Sequence, residues 1–371
     1  MTERPDCLIV GGGVIGLSLA WELAQRKLRV TVIDQTEPGR EASWAGAGIL
    51  PPANRRSARD AYDQLRGLSY DLHSEWATRL RDLTGIDTGY CRCGGLYLAR
   101  TAGEAAALAG WARVADDEGI AVERLTADDL RTIEPALATA ADSFRGIYHM
   151  PGEVQLRNPR HLKALQAACE LSGVSIRPDV KALDLVAMSE HTAALETSAG
   201  RMEAGAICLA AGAWTGNLLA RMGLECGILP MRGQMLLFRC ESQPFQRVLN
   251  EGSRYMVPRN DGRVLAGSTE EEVGFDKRNT EEALRELREF AFALVPALRD
   301  AELERTWAGL RPASFDGFPY LGRLPLFSNT FVAAGHFRSG IYLSPGTAVV
   351  MRQLICGDEP EIDLGPFRVG R

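Results

Sequence analysis

Histidine is scarce in this chain, with 5 in 371 residues, and none stands near another His or a Cys in sequence. That spacing argues against a metal centre built on clustered His and Cys ligands. No apolar run reaches the ~20 residues that a bilayer span needs, so no membrane partner is expected. The opening MTERPDCLIVGGG lacks a basic segment, a long apolar stretch and a small-residue cleavage site. A cytoplasmic protein without a targeting segment is therefore expected. There is no Lys/Arg run either, and the net charge is −6, which argues against a nucleic-acid partner. The 8 Cys are scattered, with Cys91 and Cys93 the only close pair, so no disulfide framework is expected.

What is present is an ordinary globular balance, 46% hydrophobic and 24% charged, which excludes a disordered chain. The length allows two domains or one large α/β unit. Residues 6–34 read as a strand, a helix and a second strand, with a glycine turn after the first strand. A loop rich in Gly, Ala, Ser and Pro fills 35–54. A long amphipathic helix then carries Leu65, Leu68, Leu72 and Trp76 on one stripe. Helices are expected at 103–119, 126–132, 159–172, 280–296 and 339–355. Strands are expected at 94–99, 174–177, 181–186, 192–197, 206–210, 233–239, 254–258, 263–267 and 330–334. The order suggests one nucleotide domain assembled from separated segments, with an antiparallel domain inserted in it.

Gly11-x-Gly13-x-x-Gly16 follows the first strand and opens the first helix. Gly11 permits a tight turn, Gly13 lets backbone approach a pyrophosphate, and Gly16 lets helix and strand pack closely. The helix start at Val14 and Ile15 offers N–H donors and the positive end of a dipole to phosphates. Asp34 ends the second strand, where its carboxylate can accept from a ribose hydroxyl. The same charge disfavours a 2′-phosphorylated cofactor. The fingerprint leaves FAD and NAD open. Its early position favours FAD, and so do two further segments. Ser43–Leu50 (SWAGAGIL) is small enough for backbone to meet a flat ring, which Ile49 could cover. Ala334–Ile341 (AGHFRSGI) delivers a glycine loop from a strand end to a helix start, where N–H donors can face negative charge.

These segments, with LAAGAWTG, PMRGQML, RYMVPRNDGRVLAGSTEE, WAGLRPASFDGFPYLG and AAGHFRSGIYLSP, resemble the FAD-dependent amine oxidases of the D-amino acid oxidase superfamily. Within it they are similar to the glycine oxidases of thiamine biosynthesis, in order and over nearly the whole chain. The resemblance implies an α/β fold: a Rossmann-like FAD-binding domain of the glutathione-reductase type and an inserted antiparallel-sheet substrate domain. The corresponding segments are 1–80, 145–224 and 308–371 for the cofactor, and 81–144 and 225–307 for the substrate. It implies non-covalent FAD held by Gly11, Gly13, Val14, Ile15, Gly16, Asp34, Gln35, Ala42, Ser43, Ala47, Gly48, Ile49, Val180 and Gly212. The loop His336, Phe337, Arg338, Ser339, Gly340, Ile341 and Tyr342 would wrap the flavin ring.

By the same resemblance Arg311 binds the substrate carboxylate, Tyr255 lies over the substrate, and Arg338 borders substrate and flavin. A guanidinium suits a carboxylate because its planar fork is bidentate and permanently charged. Other readings stay open for each: an Arg311–Asp316 ion pair, a half-buried Tyr255, an anchoring Arg338. Glu270 stands where these oxidases usually carry an apolar residue. It is either a solvated member of the run Glu270–Glu272 or a pocket group paired with Arg254 or Arg338. The implied reaction is oxidative deamination of glycine, sarcosine, D-alanine or D-proline, with hydride passing from the α-carbon to flavin N5. O2 is the expected electron acceptor, with a quinone or carrier as the alternative, and a 2-hydroxy acid is the alternative substrate. No side-chain general base is needed if desolvation keeps the amine neutral. The imine would serve a thiazole synthase. Assembly with further copies of the chain is left open.

Overall fold

The computed structural model describes residues 4–189, 191–224 and 226–371. Residues 1–3, 190 and 225 lie outside it, and so does the expected boundary at 224/225.

Two large sheets organise the chain. The first has six strands, in the order Tyr320–Arg323, Thr330–Ala334, Ala206–Leu209, Cys7–Val10, Val30–Ile33 and Ser175–Arg177. Its pairings are parallel except at the Tyr320–Arg323 edge. Cys7–Val10 and Ala206–Leu209 are buried at every position, as strands covered on both faces must be. Helices Val14–Gln25, Ala61–Thr84, Asn158–Leu171 and Gly340–Cys356 cover one face. Their shared core includes an edge-to-face pair of Trp21 and Trp76, ring centres 4.9 Å apart. A three-stranded antiparallel sheet, Ala182–Ala187, Ala193–Thr197 and Gly200–Met202, covers the other face. This is the Rossmann-like half that the glycine fingerprint predicts.

The second sheet has nine strands and is largely antiparallel. Its spine is the long pair Leu229–Arg239 and Glu302–Ala313, with Gly233 opposite Gly309. Side chains alternate across it. Leu236, Phe238, Met256, Val264 and Ala266 pack under helix Glu281–Leu294, whose Leu287 and Phe290 face them. Met235, Tyr255, Val257 and Leu265 turn the other way, toward Ala47 and the first half. One face of this sheet is therefore closed by helices, and the other forms a wall between the two halves.

The expected strands at 254–258, 263–267 and 330–334 have those bounds in the structure. The expected helix at 280–296 spans Glu281–Leu294. Several strands carried no recognised signal, among them Gly200–Met202, Tyr320–Arg323 and the two that follow. Glu302–Ala313 is half-exposed, and its first half carries Glu302, Glu304 and Arg305. Gly146–Met150, inside the span 145–224, pairs with Gly95–Ala99 in the nine-stranded sheet. The assignment of segments to two discontinuous domains stands as our proposal. Among the described residues, no helix is long and apolar enough to cross a membrane.

Candidate active site

A cavity of about 550 Å³ runs between the two halves. The fingerprint turn, Asp34–Gln35, the 41–49 loop, Val180, Ala210–Trp214 and His336–Tyr342 line it, with Tyr255 and Leu310–Pro312 at the second sheet. Every site residue expected from the sequence lines this cavity except Gly16, and Glu270 is also outside the lining.

Gly16 sits behind the wall. A Cβ there would stand 1.9 Å from the Gly11 carbonyl oxygen, so its bare backbone lets the helix close on the turn. Gly11 has φ +110, and a Cβ on it would meet the Ala210 carbonyl at 2.4 Å. Gly12 N–H donates to Asp34 Oδ2 at 2.8 Å, and Thr36 N–H to Oδ1 at 3.0 Å. Asp34 thus fixes the glycine turn while facing the cavity. Burial pushes its pKa up, against the pull of those two backbone donors. Asp34→Asn should weaken flavin retention about tenfold, the loss of one charge-assisted hydrogen bond. Titration of apoprotein with FAD checks this.

The 41–49 loop is held from three directions. Val14 N–H donates to Ser43 Oγ at 2.9 Å, and Asn158 Nδ2 donates to the Ser43 carbonyl at 2.8 Å. The Arg259 guanidinium donates to the Ala47 carbonyl at 2.8 Å and to Gln155 Oε1 at 2.7 Å. Trp307 Nε1–H donates to the Ala45 carbonyl at 3.1 Å. Arg259 and Trp307 lie inside motifs visible in the sequence, yet nothing local marks them as supports for this loop.

Opposite this loop, strand Thr330–Ala334 delivers the turn at Phe337–Ser339 to helix Gly340–Cys356. His336 is buried, with Nε2 3.1 Å from Thr347 Oγ1, and burial lowers its pKa to about 3. It is therefore neutral at physiological pH and shapes the loop. Tyr342 is buried at the cavity wall near Arg66.

At the second sheet, Arg311 lies across Gly233, where a Cβ would stand 2.2 Å from its guanidinium. One terminal nitrogen donates to the Thr269 carbonyl at 3.0 Å, the other to Ser268 Oγ at 2.6 Å. Two of its five N–H groups are thereby used. Among the described residues no carboxylate lies within ion-pair distance. Asp316 instead pairs with Arg371, at 2.7 and 2.9 Å. Gly233, Ser268 and Thr269 each lie inside a motif quoted above, but nothing local marks them as partners of Arg311. Tyr255 is buried and its hydroxyl donates to Met235 Sδ at 3.5 Å. Arg338 pairs with Glu270 and donates to the Ser253 carbonyl at 3.1 Å. The two side chains are 35% and 37% exposed, so Glu270 is a rim group. Glu270→Gln should change stability by no more than about 1 kcal/mol, as for exposed ion pairs generally. Thermal unfolding of the two proteins checks this.

The site fits FAD. Val180 N–H donates to the Asp34 carbonyl at 2.8 Å, so the two stand together in the cavity wall with the glycine cradle. The loops 42–49 and 336–342 line the same cavity, with Tyr342 buried in its wall. These residues would hold, in that order, the adenosine, the pyrophosphate and the isoalloxazine ring.

Comparison with known proteins agrees. Glycine oxidase of Pseudomonas putida is 37% identical over 361 residues, 97% of either chain. The bifunctional protein ThiO/ThiG of a Nostoc species is 33% identical over 371 residues, which are 99% of this chain and 55% of that one. The crystal structure of glycine oxidase from Geobacillus kaustophilus superposes with a TM-score of 0.94 at 34% identity, covering 100% of this chain and 99% of that one. The family model described as DAO, FAD dependent oxidoreductase, matches residues 6–354, and the chain belongs to that family of FAD-dependent enzymes.

Proposed function

We propose that this enzyme oxidises the amine of glycine, or of another small amino acid such as sarcosine, D-alanine or D-proline. The observation that carries this reading is Arg311, a guanidinium without an acid partner among the described residues, fixed on a cavity wall beside Tyr255. Its free N–H groups suit a carboxylate, and Tyr255 bounds the space a small α-carbon would occupy. Holding the carboxylate orients the α-C–H bond, and orientation of this kind removes a large entropic part of the barrier. When bound between the 42–49 and 336–342 loops, FAD would supply the hydride acceptor, with O2 as the proposed final electron acceptor and hydrogen peroxide as the product. Water then hydrolyses the released imine to a keto acid and ammonia, glyoxylate in the case of glycine. The likeness to glycine oxidases supports the substrate. The likeness to one part of a ThiO/ThiG protein supports delivery of the imine to a thiazole synthase.

We read the FAD as non-covalent. Among the described residues no cysteine lines the cavity, and His336 is turned to Thr347. Acid precipitation should release all the flavin into the supernatant. Oxygen uptake tests the reaction itself: glycine should consume O2 and yield peroxide and glyoxylate in equal amounts. Reduction of a quinone without O2 uptake would make the enzyme a dehydrogenase instead.

A further inference from the structure

Glu153 is fully buried, and among the described residues it has no cationic partner within ion-pair distance. Its carboxyl is held by two side chains. The Tyr97 hydroxyl donates to Oε2, and Asn250 Nδ2 donates to Oε1 at 3.1 Å. Both Tyr97 and Asn250 line the cavity that holds Arg311 and Tyr255. Register explains why. Tyr255 lies opposite Asn250, and Asn250 lies beside Tyr97 on the next strand. Paired residues point to the same face, so the three form one row across the cavity side of the sheet. Glu153 enters from the turn after Gly146–Met150 and rests on Gly95, where a Cβ would stand 2.2 Å from Oε1. A charged group buried there, bonded only through residues that face the cavity, is costly unless it has work to do.

An amino acid arrives as an ammonium, and its nitrogen must lose a proton before the α-C–H bond can break as hydride. We propose that Glu153, acting through Tyr97, receives that proton. The ammonium N–H is transferred to the Tyr97 oxygen while the Tyr97 hydroxyl proton passes to Glu153 Oε2. Ammonium becomes amine, carboxylate becomes carboxylic acid, and no electrons move. The inference rests on the amino-acid reading above. Burial lifts the Glu153 carboxyl to about 7, which suits proton uptake at neutral pH. The other groups facing the pair do not titrate there. Burial pushes Cys93, beside Glu153, up to about 11. It also raises Tyr97 and Tyr342, and Arg66, which faces Tyr97 from helix Ala61–Thr84, stays charged.

The test is the rate of flavin bleaching after anaerobic mixing with glycine, from about pH 6 to about pH 9, in the wild type, Glu153→Gln and Tyr97→Phe. In the wild type the rate should level off above neutral pH. In either variant it should fall about 100-fold at pH 7, the usual scale of general-base assistance. It should then climb about tenfold per pH unit, as free amine from solution takes over. Should Glu153→Gln fail to fold, Tyr97→Phe decides alone. Variants that bind flavin and keep the wild-type pH profile, even at a lower rate, overturn the relay and leave the amino-acid reading intact. A wild-type flavin that no small amino acid bleaches at any pH overturns both.

Discussion

Replacing Arg311 with alanine should lower kcat/KM for glycine by about 2–4 kcal/mol, roughly 30- to 1,000-fold, with most of the loss in KM. The size follows from the surroundings. The guanidinium is part-buried over Gly233, and its two protein partners are a carbonyl and a hydroxyl, neither of which carries charge. A substrate carboxylate would be the sole counter-charge among its described neighbours, and the pair would form away from bulk water. Arg311→Lys should recover only a small part of the loss, because an ammonium cannot reproduce the planar fork. The flavin spectrum should stay intact in both, since the residue is anchored on the second sheet rather than on the cofactor loops. Steady-state kinetics decide the matter: unchanged KM in Arg311→Ala would remove the carboxylate clamp.

The second large effect is acid lability. His73, His161 and His336 are buried, and burial lowers their pKa values from 6.5 to about 4, about 3 and about 3. His73 still donates from Nε2 to the Tyr342 carbonyl at 2.8 Å, while neither ring nitrogen of His161 has a partner among the described residues. A depressed folded pKa means that the unfolded chain binds protons the native state refuses. The stability these three provide is complete above pH 6.5 and is lost as pH falls toward their folded values. Glu153 works the other way, because its carboxyl is raised from 4.5 to about 7 and the native state binds that proton first. Between pH 6.5 and 4.5 the difference from these four groups is about two protons, which contributes a slope of about 3 kcal/mol per pH unit. Removing the Glu153 proton by Glu153→Gln should steepen the slope to about 4 kcal/mol per pH unit. Denaturant titrations at several pH values measure both. A stability flat across this range would show that the histidines are hydrated rather than buried neutral.

Much of the first half is legible in the sequence. Cys7–Val10 and Ala206–Leu209 are short apolar runs beside glycine turns, and buried parallel strands need little else. The fingerprint carried its own geometry, since a Cβ at Gly11 or Gly16 would run into backbone at 2.4 or 1.9 Å. The second half was harder to read. Glu302–Ala313 pairs along its whole length with Leu229–Arg239, but the charges clustered at Glu302, Glu304 and Arg305 hide a strand that is only half covered. Arg311 was marked by its motif, whereas Ser268 and Thr269, which hold it, sit more than forty positions away in sequence. Tyr97, Glu153 and Asn250 had no local signal at all. Strand pairing brings them together, and sequence spacing does not record it. The bearing of Glu270 was likewise a matter of tertiary contact, decided by its pairing with Arg338 at the rim.

The account turns on one claim, that this chain carries FAD and moves hydride to it from a small amino acid held at Arg311. The visible spectrum of the purified protein, mixed with glycine in the absence of oxygen, tests it most directly. A yellow protein is expected, whose flavin band bleaches with glycine and persists in Arg311→Ala at the same glycine concentration. A flavin band that glycine, sarcosine, D-alanine and D-proline all leave unbleached would contradict it, as would bleaching that Arg311→Ala does not slow.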